Sequence, residues 1–385
     1  MRIAFTTEVA PPKIDGITNR LRNTIPCLLE AGHEVLVFAP SGADATLGGA
    51  RVVPIPGPAY PRYPGLRAAL PHPRLALELA RFRPDVLHAV GPVCLGTFGV
   101  LAARALLVPT VASYHTDLPR YLPLHGLGFA EQVAWPLIRA VHNRAHLNLC
   151  PSRGTQSELE AHGIRNVEIW RGGVDTELFH PRRRSLATRA CLTDGRPDRP
   201  ILLYAGRLSP EKNLELLLPV LKGLPGCHLA LVGDGPARAD LERLFAGHAV
   251  TFTGFLAGEQ LAQAFASADV FVMPSPTETL GFVVLEAMAS GVPVVAARAG
   301  GIPDLVAHGV NGLLFAAAAS DAARAAVREV LDDRPRARFL AEQGRKSAES
   351  ATWKRETRDL VWAYRRAIRR ARRSLLGGIR HALVG

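Results

Sequence analysis

The sequence lacks the short signatures that mark several common enzyme chemistries. Its 385 residues contain no Asp-x-Asp, no phosphate-binding loop of the Gly-rich Lys-Ser/Thr kind and no Gly-x-Ser-x-Gly. P-loop chemistry and nucleophile-elbow chemistry therefore have no support in the sequence. His, Cys and Asp also form no cluster at metal-ligand spacing. We therefore expect neither a bound metal nor any other cofactor.

Cysteine and long apolar runs are scarce as well. The five cysteines are scattered and odd in number, and no pair has metal-ligand spacing, which predicts reduced thiols in a cytosolic protein. The longest uncharged apolar stretch, Ala89 to Ala103, is interrupted by Gly and Pro. It is shorter than the roughly 20 residues of a membrane-spanning helix. The apolar stretch at the N-terminus is too short for a signal-peptide core, so we expect a cytoplasmic protein.

Positive charge is in excess, with a net charge of +12. The excess concentrates between Lys354 and Arg380, where ten Lys and Arg face two acids. One interpretation is a solvated helix face. The other is attraction to an anionic membrane surface, worth about 1 kcal/mol for each Lys or Arg near it. We do not expect nucleic acid as a partner, because no aromatic interleaving or binding motif accompanies the arginines.

Length and pattern predict two α/β domains. Strand-like apolar runs alternate with helix-like stretches, which is typical of parallel sheets covered on both faces. The pattern restarts after Pro200, and an Arg-, Pro- and Asp-rich segment precedes the restart. We place the crossing near Gly172 to Pro181, and predict domains at residues 1–175 and 176–351, followed by a basic helix at 352–385. The predicted strands begin at Arg2, His33, Arg51, Val86, Thr110, Leu147, Ile201, His228, Val250, Val270 and Pro293.

The stretch from Pro274 to Ala297 is the most informative motif. It leaves a predicted strand, turns, and enters a predicted helix near Leu280 and Gly281. The start of a helix offers unpaired N–H groups and partial positive charge, which suits a diphosphate. Glu278 lies just ahead of this helix and Glu286 two turns along it, so that their carboxylates suit sugar hydroxyls. Taken alone, Glu286 also fits an ordinary helix glutamate.

A second motif runs from Gly206 to Asn213, after the strand that begins at Ile201. It is predicted to start a helix that extends to Leu224, and Gly206 permits close approach of a ligand. Arg207 and Lys212 supply two cations against a leaving diphosphate. The alternative is a capped helix start with surface charges. The Gly233-Asp-Gly-Pro turn is interpreted as a loop and nothing more.

Two further candidates lie in the first half of the chain. Gly16 stands between the first strand and the first helix, where backbone N–H groups can face phosphate. His115 follows the fifth predicted strand, in Ser-Tyr-His-Thr-Asp, and can hydrogen-bond a sugar hydroxyl. A lone glycine in such a loop and a lone histidine also have plain structural explanations.

These motifs together resemble family 4 glycosyltransferases of the GT-B fold. Within that family the resemblance is to sulfoquinovosyl-diacylglycerol synthases and lipid-directed mannosyltransferases. It covers nearly the whole chain. The segments that carry it are PKIDGITNRLRNT, SYHTDLPRYLPLHGLG, HNRAHLNLCPS, WRGGVDTELFHP, GRLSPEKN, LVGDGP, FASADVFVMPSPTETLGFVVLEAMASG and AGGIPD.

The resemblance implies a fold and a set of roles. The fold is two Rossmann-like doubly wound domains facing across a cleft, with a C-terminal helix that crosses back to the N-terminal domain. The reaction retains the anomeric configuration by front-face attack, without a protein nucleophile or a metal. The implied catalytic residues are His115, Arg207, Lys212 and Glu278. The implied donor-binding residues are Gly16, Gly206, Leu280, Gly281, Phe282, Val283 and Glu286.

The expected partners are a nucleotide-sugar donor, a diacylglycerol-type lipid acceptor and an anionic membrane surface. The segment from Leu118 to Trp135 mixes Arg120 with aromatic and aliphatic residues, which suits a lipid interface. The alternative is that this segment belongs to the core. We predict a protein peripheral to the inner face of the cytoplasmic membrane. UDP-sulfoquinovose is the first donor expected, with another UDP- or GDP-hexose second, and a soluble acceptor remains an alternative to the lipid.

Overall fold

Two compact units make up the chain, and each contains its own parallel sheet. The structure is a computed structural model that describes residues 1–12, 15–60, 63–67, 69–115 and 131–384. The first unit, here the N-unit, comprises Met1–Arg171 and Trp353–Gly385. The second, the C-unit, comprises Gly172–Thr352.

The strands of both units are short. Those of the N-unit are β1 (Arg2–Thr7), β2 (Glu34–Pro40), β3 (Thr46–Leu47), β4 (Ala50–Ile55), β5 (Ala59–Tyr60), β6 (Tyr63–Arg67), β7 (Val86–Val90), β8 (Thr110–Ser113), β9 (Leu147–Cys150) and β10 (Val167–Ile169). Those of the C-unit are β11 (Ile201–Ala205), β12 (His228–Val232), β13 (Val250–Gly254), β14 (Val270–Met273), β15 (Val294–Ala297) and β16 (Leu313–Phe315).

Both sheets are doubly wound. The N-unit sheet has the order β10-β9-β8-β7-β1-β2-β4-β3 and is parallel except where β3 meets β4, while β5 and β6 pair separately. The C-unit sheet has the order β13-β12-β11-β14-β15-β16. Each order reverses beside the first strand of its unit, between β1 and β7 and between β11 and β14. Sheets of this kind bind ligands outside the carboxyl ends of the strands at that reversal.

Helices connect the strands. In chain order they are α1 (Gly16–Glu30), α2 (Pro73–Phe82), α3 (Leu95–Ala105), α4 (Glu131–His142), α5 (Arg153–Ala161), α6 (Leu186–Leu192), α7 (Leu217–Lys222), α8 (Arg238–Leu244), α9 (Gly258–Ser267), α10 (Phe282–Ala289), α11 (Ser320–Asp332), α12 (Arg334–Ser350) and α13 (Trp353–Val384). Capping side chains mark the N-termini of several helices. At α1 the Asp15 side chain accepts from the Thr18 N–H, and at α5 the Ser152 side chain accepts from the Thr155 N–H.

The helix predicted from Asn213 to Leu224 is present as α7, but its predicted start was wrong. Pro210–Lys212 and Leu214–Leu216 form separate 3-10 turns, and the α-helix begins only at Leu217. Asn213 has a φ of 54°, a left-handed conformation that cannot continue a helix. Lys212 therefore belongs to a tight turn and not to the first turn of an α-helix.

The C-terminal helix α13 packs in the N-unit, which confirms the fold implied by the resemblance. Leu360 and Tyr364 are buried in one cluster with Phe5 and Leu21 of the N-unit core. Trp362, by contrast, is 49% exposed because it lies on the opposite face of the helix. The helix therefore has one face in the core and another in solvent.

Candidate functional site

The reversal in the C-unit sheet brings together most of the predicted site residues. β11 and β14 are neighbouring parallel strands, and Leu202 pairs with Val270. The loop after β11 carries Arg207 and Lys212, and the loop after β14 carries Glu278. Both loops leave the carboxyl end of the sheet, where a doubly wound domain binds its ligand.

Lys212 and Glu278 form an ion pair between these two loops. The Nζ of Lys212 lies 2.5 Å from Oε1 of Glu278, and the two side chains are only 15% and 17% exposed. The sequence suggested separate roles for the two residues, and the structure joins them. An ammonium group has three N–H donors. Glu278 therefore fixes the position of the Lys212 ammonium group at this end of the sheet.

Arg207 is exposed at the end of β11, and its backbone is tightly supported. Its carbonyl oxygen accepts a hydrogen bond from Oη of Tyr204 at 3.0 Å. The N–H of Gly206 donates to the carbonyl of Val232 at 2.9 Å. A Cβ at Gly233 would overlap the carbonyl oxygen of Gly206, so only glycine fits there. The Gly233 turn, interpreted from the sequence as a plain loop, is thus the support for the Arg207 loop.

A third loop fixes the backbone of Glu278. The N–H of Gly301 donates to the Glu278 carbonyl oxygen at 2.7 Å. A Cβ at Gly300 would overlap that same oxygen. The sequence reasoning used these two glycines only as part of the resemblance. Their position directly after β15, at the same end of the sheet, is the signal that could have identified them as site-forming residues.

Helix α10 begins beside this cluster. Gly281 is the N-cap residue of α10 and, as a glycine, brings no capping side chain of its own. Leu280, Phe282 and Val283 form the segment entering the first turn, where a helix leaves backbone N–H groups without intrahelical partners. A Cβ at Gly172 would overlap the side chains of Phe282 and Leu280, which shows how closely the backbone there packs on this segment.

Glu286 lies on α10 and is half-buried. Burial raises the pKa of its carboxyl to about 7. A carboxyl with that pKa is about half ionised at neutral pH, and hydroxyl donors that reach it stabilise the ionised form. This environment is unlike that of a surface helix glutamate, the alternative that the sequence left open.

The two candidates of the N-unit occupy different settings. Gly16 was expected in the loop before α1, but it is the first residue of that helix because Asp15 caps it. His115 follows β8 and is half-buried, with Nε2 2.8 Å from Oγ of Ser113 and its ring against the edge of Trp170. Burial, and secondarily the positive charge of Arg20, lowers the pKa of His115 well below its usual value. The ring is therefore neutral.

The reversal in the N-unit sheet is built differently. Helix α3 follows β7, and Glu8, from the loop after β1, caps its N-terminus. The N–H of Gly96 donates to Oε1 of Glu8 at 3.0 Å. Burial raises the pKa of Glu8, while hydrogen bonds from Gly96 and its neighbours lower it.

The proposed lipid-facing segment falls mostly on residues 116–130, outside the described residues. Its last member, Trp135, is described and stacks on His162 with ring centroids 3.6 Å apart. Trp135 thus has an intramolecular partner. Among the residues described, no helix is long and apolar enough to cross a bilayer. In the same part of the chain, His, Cys, Asp and Glu form no group of three suited to a metal ion.

Two sequence families match the chain. Residues 14–178 match Glycosyltransferase Family 4, and residues 194–347 match Glycosyl transferases group 1. The chain is 43% identical to the sulfoquinovosyl transferase SQD2 of Arabidopsis thaliana, over 92% of this chain and 72% of that protein. It is 32% identical to a GDP-mannose-dependent alpha-(1-6)-phosphatidylinositol monomannoside mannosyltransferase of Mycobacterium tuberculosis, over 92% and 95%.

The fold also matches solved structures. Anabaena Alr3699/HepE, crystallised with UDP-glucose, superposes with a TM-score of 0.75 at 21% identity, over 94% of this chain and 98% of that one. The two doubly wound sheets, the family matches and the identity to full-length relatives agree with one another. The chain therefore belongs to glycosyltransferase family 4, and it is a glycosyltransferase of GT-B fold that uses a nucleotide-sugar donor.

Proposed function

We propose that the protein transfers a hexose, with retention of configuration and without a metal, from a nucleotide-sugar to a diacylglycerol-type lipid. The observation that carries the proposal is the cluster of Arg207, the Lys212–Glu278 pair and the start of α10 behind Gly281, at one end of the C-unit sheet. Such a cluster combines cations, N–H groups and a fixed carboxylate. These are the groups that a leaving diphosphate and a sugar ring require.

The diphosphate is the part of the donor that needs charge stabilisation. Arg207 is exposed and Lys212 is held by Glu278, so both cations suit phosphate oxygens without carboxylate-bound metal. The start of α10 adds N–H groups and partial positive charge. We propose that Glu278 and the backbone of Leu280, Gly281, Phe282 and Val283 hold the transferred sugar. In the same proposal Glu286 accepts hydrogen bonds from the ribose.

Retention is proposed to proceed by front-face attack. The bond from the anomeric carbon to the leaving phosphate oxygen breaks, and the acceptor oxygen bonds to the same face of that carbon. The proton of the acceptor hydroxyl passes to the leaving phosphate. This route needs no protein nucleophile, which agrees with a Glu278 carboxylate that is already paired with Lys212.

A lipid acceptor is proposed from the relatives and from the exposed face of α13. The mycobacterial relative is named for a phosphatidylinositol mannoside substrate. Trp362 is exposed on α13, with Arg365 over its ring at 5.0 Å, and Arg369 and Arg372 are exposed further along. Their spacing of three and four residues places them on one helix face. An indole beside arginines suits the surface of an anionic bilayer.

Other arginines of α13 have intramolecular partners. Arg366 and Arg370 both pair with Glu168. The net attraction to a membrane is therefore smaller than the count of arginines in the sequence suggests. This distinguishes the exposed set at positions 362, 365, 369 and 372 from the rest of the basic helix.

The test is a matrix of donors and acceptors. The purified protein is incubated with UDP-sulfoquinovose, UDP-glucose or GDP-mannose, and with anionic vesicles that contain diacylglycerol or with soluble sugars. Mass spectrometry detects the product, and proton coupling at the anomeric carbon reports its configuration. We expect a lipid product of retained configuration that forms equally in EDTA. Inversion, loss of activity in EDTA, or efficient transfer only to soluble sugars would each contradict the corresponding part of the proposal.

The donor expected first is UDP-sulfoquinovose, because of the similarity to SQD2. Transfer only from GDP-mannose would replace it with the mannosyl alternative. Vesicle sedimentation tests the membrane contact separately. We expect a Trp362→Ala, Arg369→Glu variant to sediment less with anionic vesicles at low salt. An Arg243→Glu variant, which alters an exposed arginine of the C-unit, is the matched control.

A further inference from the structure

A chain of four hydrogen-bonded side chains runs through the interior of the N-unit and ends at His115. Oη of Tyr364, on α13, lies 2.8 Å from Nδ1 of His88. Nε2 of His88 lies 2.8 Å from Oγ of Ser113, which in turn lies 2.8 Å from Nε2 of His115. The first three of these side chains have no exposed surface. The first two links join different elements, α13 to β7 and β7 to β8, so the sequence alone gives no indication of this series of hydrogen bonds.

The two histidines of this hydrogen-bonded series, His88 and His115, are neutral. Burial lowers the pKa of His88 to about 3, and the positive charge of Arg20 contributes to the same direction. The guanidinium of Arg20 lies over the Trp170 ring at 4.2 Å, beneath the same cluster. A neutral imidazole carries one N–H and one bare nitrogen, and its hydrogen bonds decide which is which.

Tyr364 decides which group donates in each hydrogen bond of the series. Burial raises the pKa of its phenol well above the usual value, so Tyr364 keeps its proton. Among the described residues, His88 is the only hydrogen-bond partner of its hydroxyl. A buried hydroxyl that fails to donate costs about 1–3 kcal/mol. The O–H of Tyr364 therefore donates to Nδ1 of His88, which must be the bare nitrogen.

The remaining protons follow in sequence. With Nδ1 bare, Nε2 of His88 carries the proton and donates to Oγ of Ser113. Within the described part of the chain, the Ser113 hydroxyl has the two imidazoles as its partners. Its own proton must then go to Nε2 of His115. The N–H of His115 is consequently left on Nδ1.

We propose that Tyr364 is a positioning residue that sets the tautomer of His115 through His88 and Ser113. The inference rests on the proposed function only for its consequence, because the tautomer of His115 decides which ring nitrogen can donate a hydrogen bond. It also gives α13 a role beyond packing. The helix that returns to the N-unit brings the terminal proton donor of the chain.

The tautomer is measured directly by ¹⁵N NMR of histidine-labelled full-length protein, with His115 assigned by its loss in His115→Gln. We expect the wild-type Nδ1 of His115 to carry the proton. In Tyr364→Phe the ring remains but the donor is lost, and we expect Nε2–H to become populated at His115. Ser113→Ala, which cuts the chain nearer to His115, should have the same effect. A wild-type His115 protonated on Nε2, or a tautomer unchanged in both variants, would overturn the inference.

The matched control is Thr357→Val. Thr357 is buried on α13 seven residues before Tyr364, on the same helix face, and it lies outside the hydrogen-bonded chain. This variant should leave the His115 tautomer as in wild type. Turnover provides a second readout: we expect Tyr364→Phe to lower kcat by about tenfold with KM for the donor unchanged, the loss expected for one misdirected hydrogen bond. A protein that shows the tautomer change and transfers no sugar would refute the proposed function and leave this inference standing.

Discussion

The two sheets reverse strand order in the same way, but the helix starts beside the reversals differ. In the N-unit the start of α3 is filled by the protein's own carboxylate, Glu8. In the C-unit the N-cap residue of α10 is Gly281, which has no side chain. One helix N-terminus thus carries a carboxylate from a distant loop, whereas the N-cap position of the other leaves room for a ligand to approach the backbone.

The polar side chains near the two reversals differ in the same sense. In the N-unit His88, Ser113 and Tyr364 are buried and bonded to one another. In the C-unit Arg207 is exposed, and the Lys212–Glu278 pair retains partial exposure. The doubly wound topology thus supplies a place for an anion, and the local side chains decide whether a ligand can use it.

The largest effect is expected at Glu278. Glu278→Ala should lower turnover by about three orders of magnitude, because it removes a charged contact to the sugar and leaves Lys212 without its partner. Steady-state kinetics measures the loss, and Glu215→Ala, an exposed neighbour, serves as the control. The double variant Glu278→Ala, Lys212→Ala separates the two effects. If it is no slower than Lys212→Ala alone, Glu278 only positions the lysine and does not contact the sugar.

A smaller loss is expected at Arg207. Arg207→Ala should lower turnover by about a hundredfold, since the developing charge on the diphosphate loses one cation. Arg207→Lys should recover only part of the activity, because it restores the positive charge but not the planar, two-pronged guanidinium group. Arg243→Ala, at an exposed ion pair with Asp240, should have wild-type kinetics. Unchanged kcat in Arg207→Ala would remove this residue from the diphosphate site.

A third prediction concerns pH. The pKa of Glu286 is about 7 because of burial, so its carboxyl is mostly protonated at pH 6 and mostly ionised at pH 8. If ribose hydroxyls donate to the carboxylate, nucleotide binding should strengthen by about tenfold or less over this interval. Isothermal titration calorimetry with UDP and GDP measures the change. Glu286→Gln, which does not titrate, should remove the pH dependence of nucleotide affinity. If the dependence persists in this variant, another group causes it.

Glu286 also makes stability depend on pH. Its pKa in the folded state lies above the unfolded value, so the folded protein holds a proton that the unfolded chain has released between about pH 4.5 and 7. Stability contributed by this group is complete below that interval and is lost as the pH rises through it. The unfolding midpoint in urea should therefore fall less steeply with pH in Glu286→Gln than in wild type.

The smallest effect is expected from removing the side chain that caps α3 in the N-unit. Glu8→Ala removes the carboxylate that accepts from the Gly96 N–H, and should lower the free energy of unfolding by about 1 kcal/mol. Thermal melting measures this as a fall of about 2–4 °C. Nucleotide affinity should not change. A loss of nucleotide affinity with an unchanged melting temperature would place the ligand at the strand-order reversal of the N-unit. It would contradict the assignment of the nucleotide to the C-unit.

Most strands of both sheets could be predicted from the sequence, because a buried parallel strand is a short apolar run such as Val270–Met273. The short strands β3, β10 and β16 were not predicted. Arg207, Lys212 and Glu278 were proposed as site residues because charges that follow such runs lie at the carboxyl ends of the strands, but the ion pair between Lys212 and Glu278 joins residues far apart in sequence and was missed. The helix start at Asn213 was wrong because propensity does not reveal a left-handed residue.

The supporting residues were harder to predict. Gly233 and Gly300 matter because each lies against the backbone of another loop, and only the folded chain brings those loops together. Glu8 and Tyr364 were not predicted for the same reason: the partners Gly96 and His88 come from distant segments. The sequence thus indicates where charged groups leave the strands, but not which other segments hold them.

Hydrogen exchange of the full-length protein, with and without saturating UDP or GDP, tests the central claim most directly. The claim is that the donor diphosphate binds at the reversal of the C-unit sheet and not at that of the N-unit sheet. We predict that the nucleotide slows exchange in residues 206–213 and 278–286, and leaves the start of α3 at residues 93–97 unchanged. Protection at residues 93–97 without protection of the two C-unit segments would contradict the account.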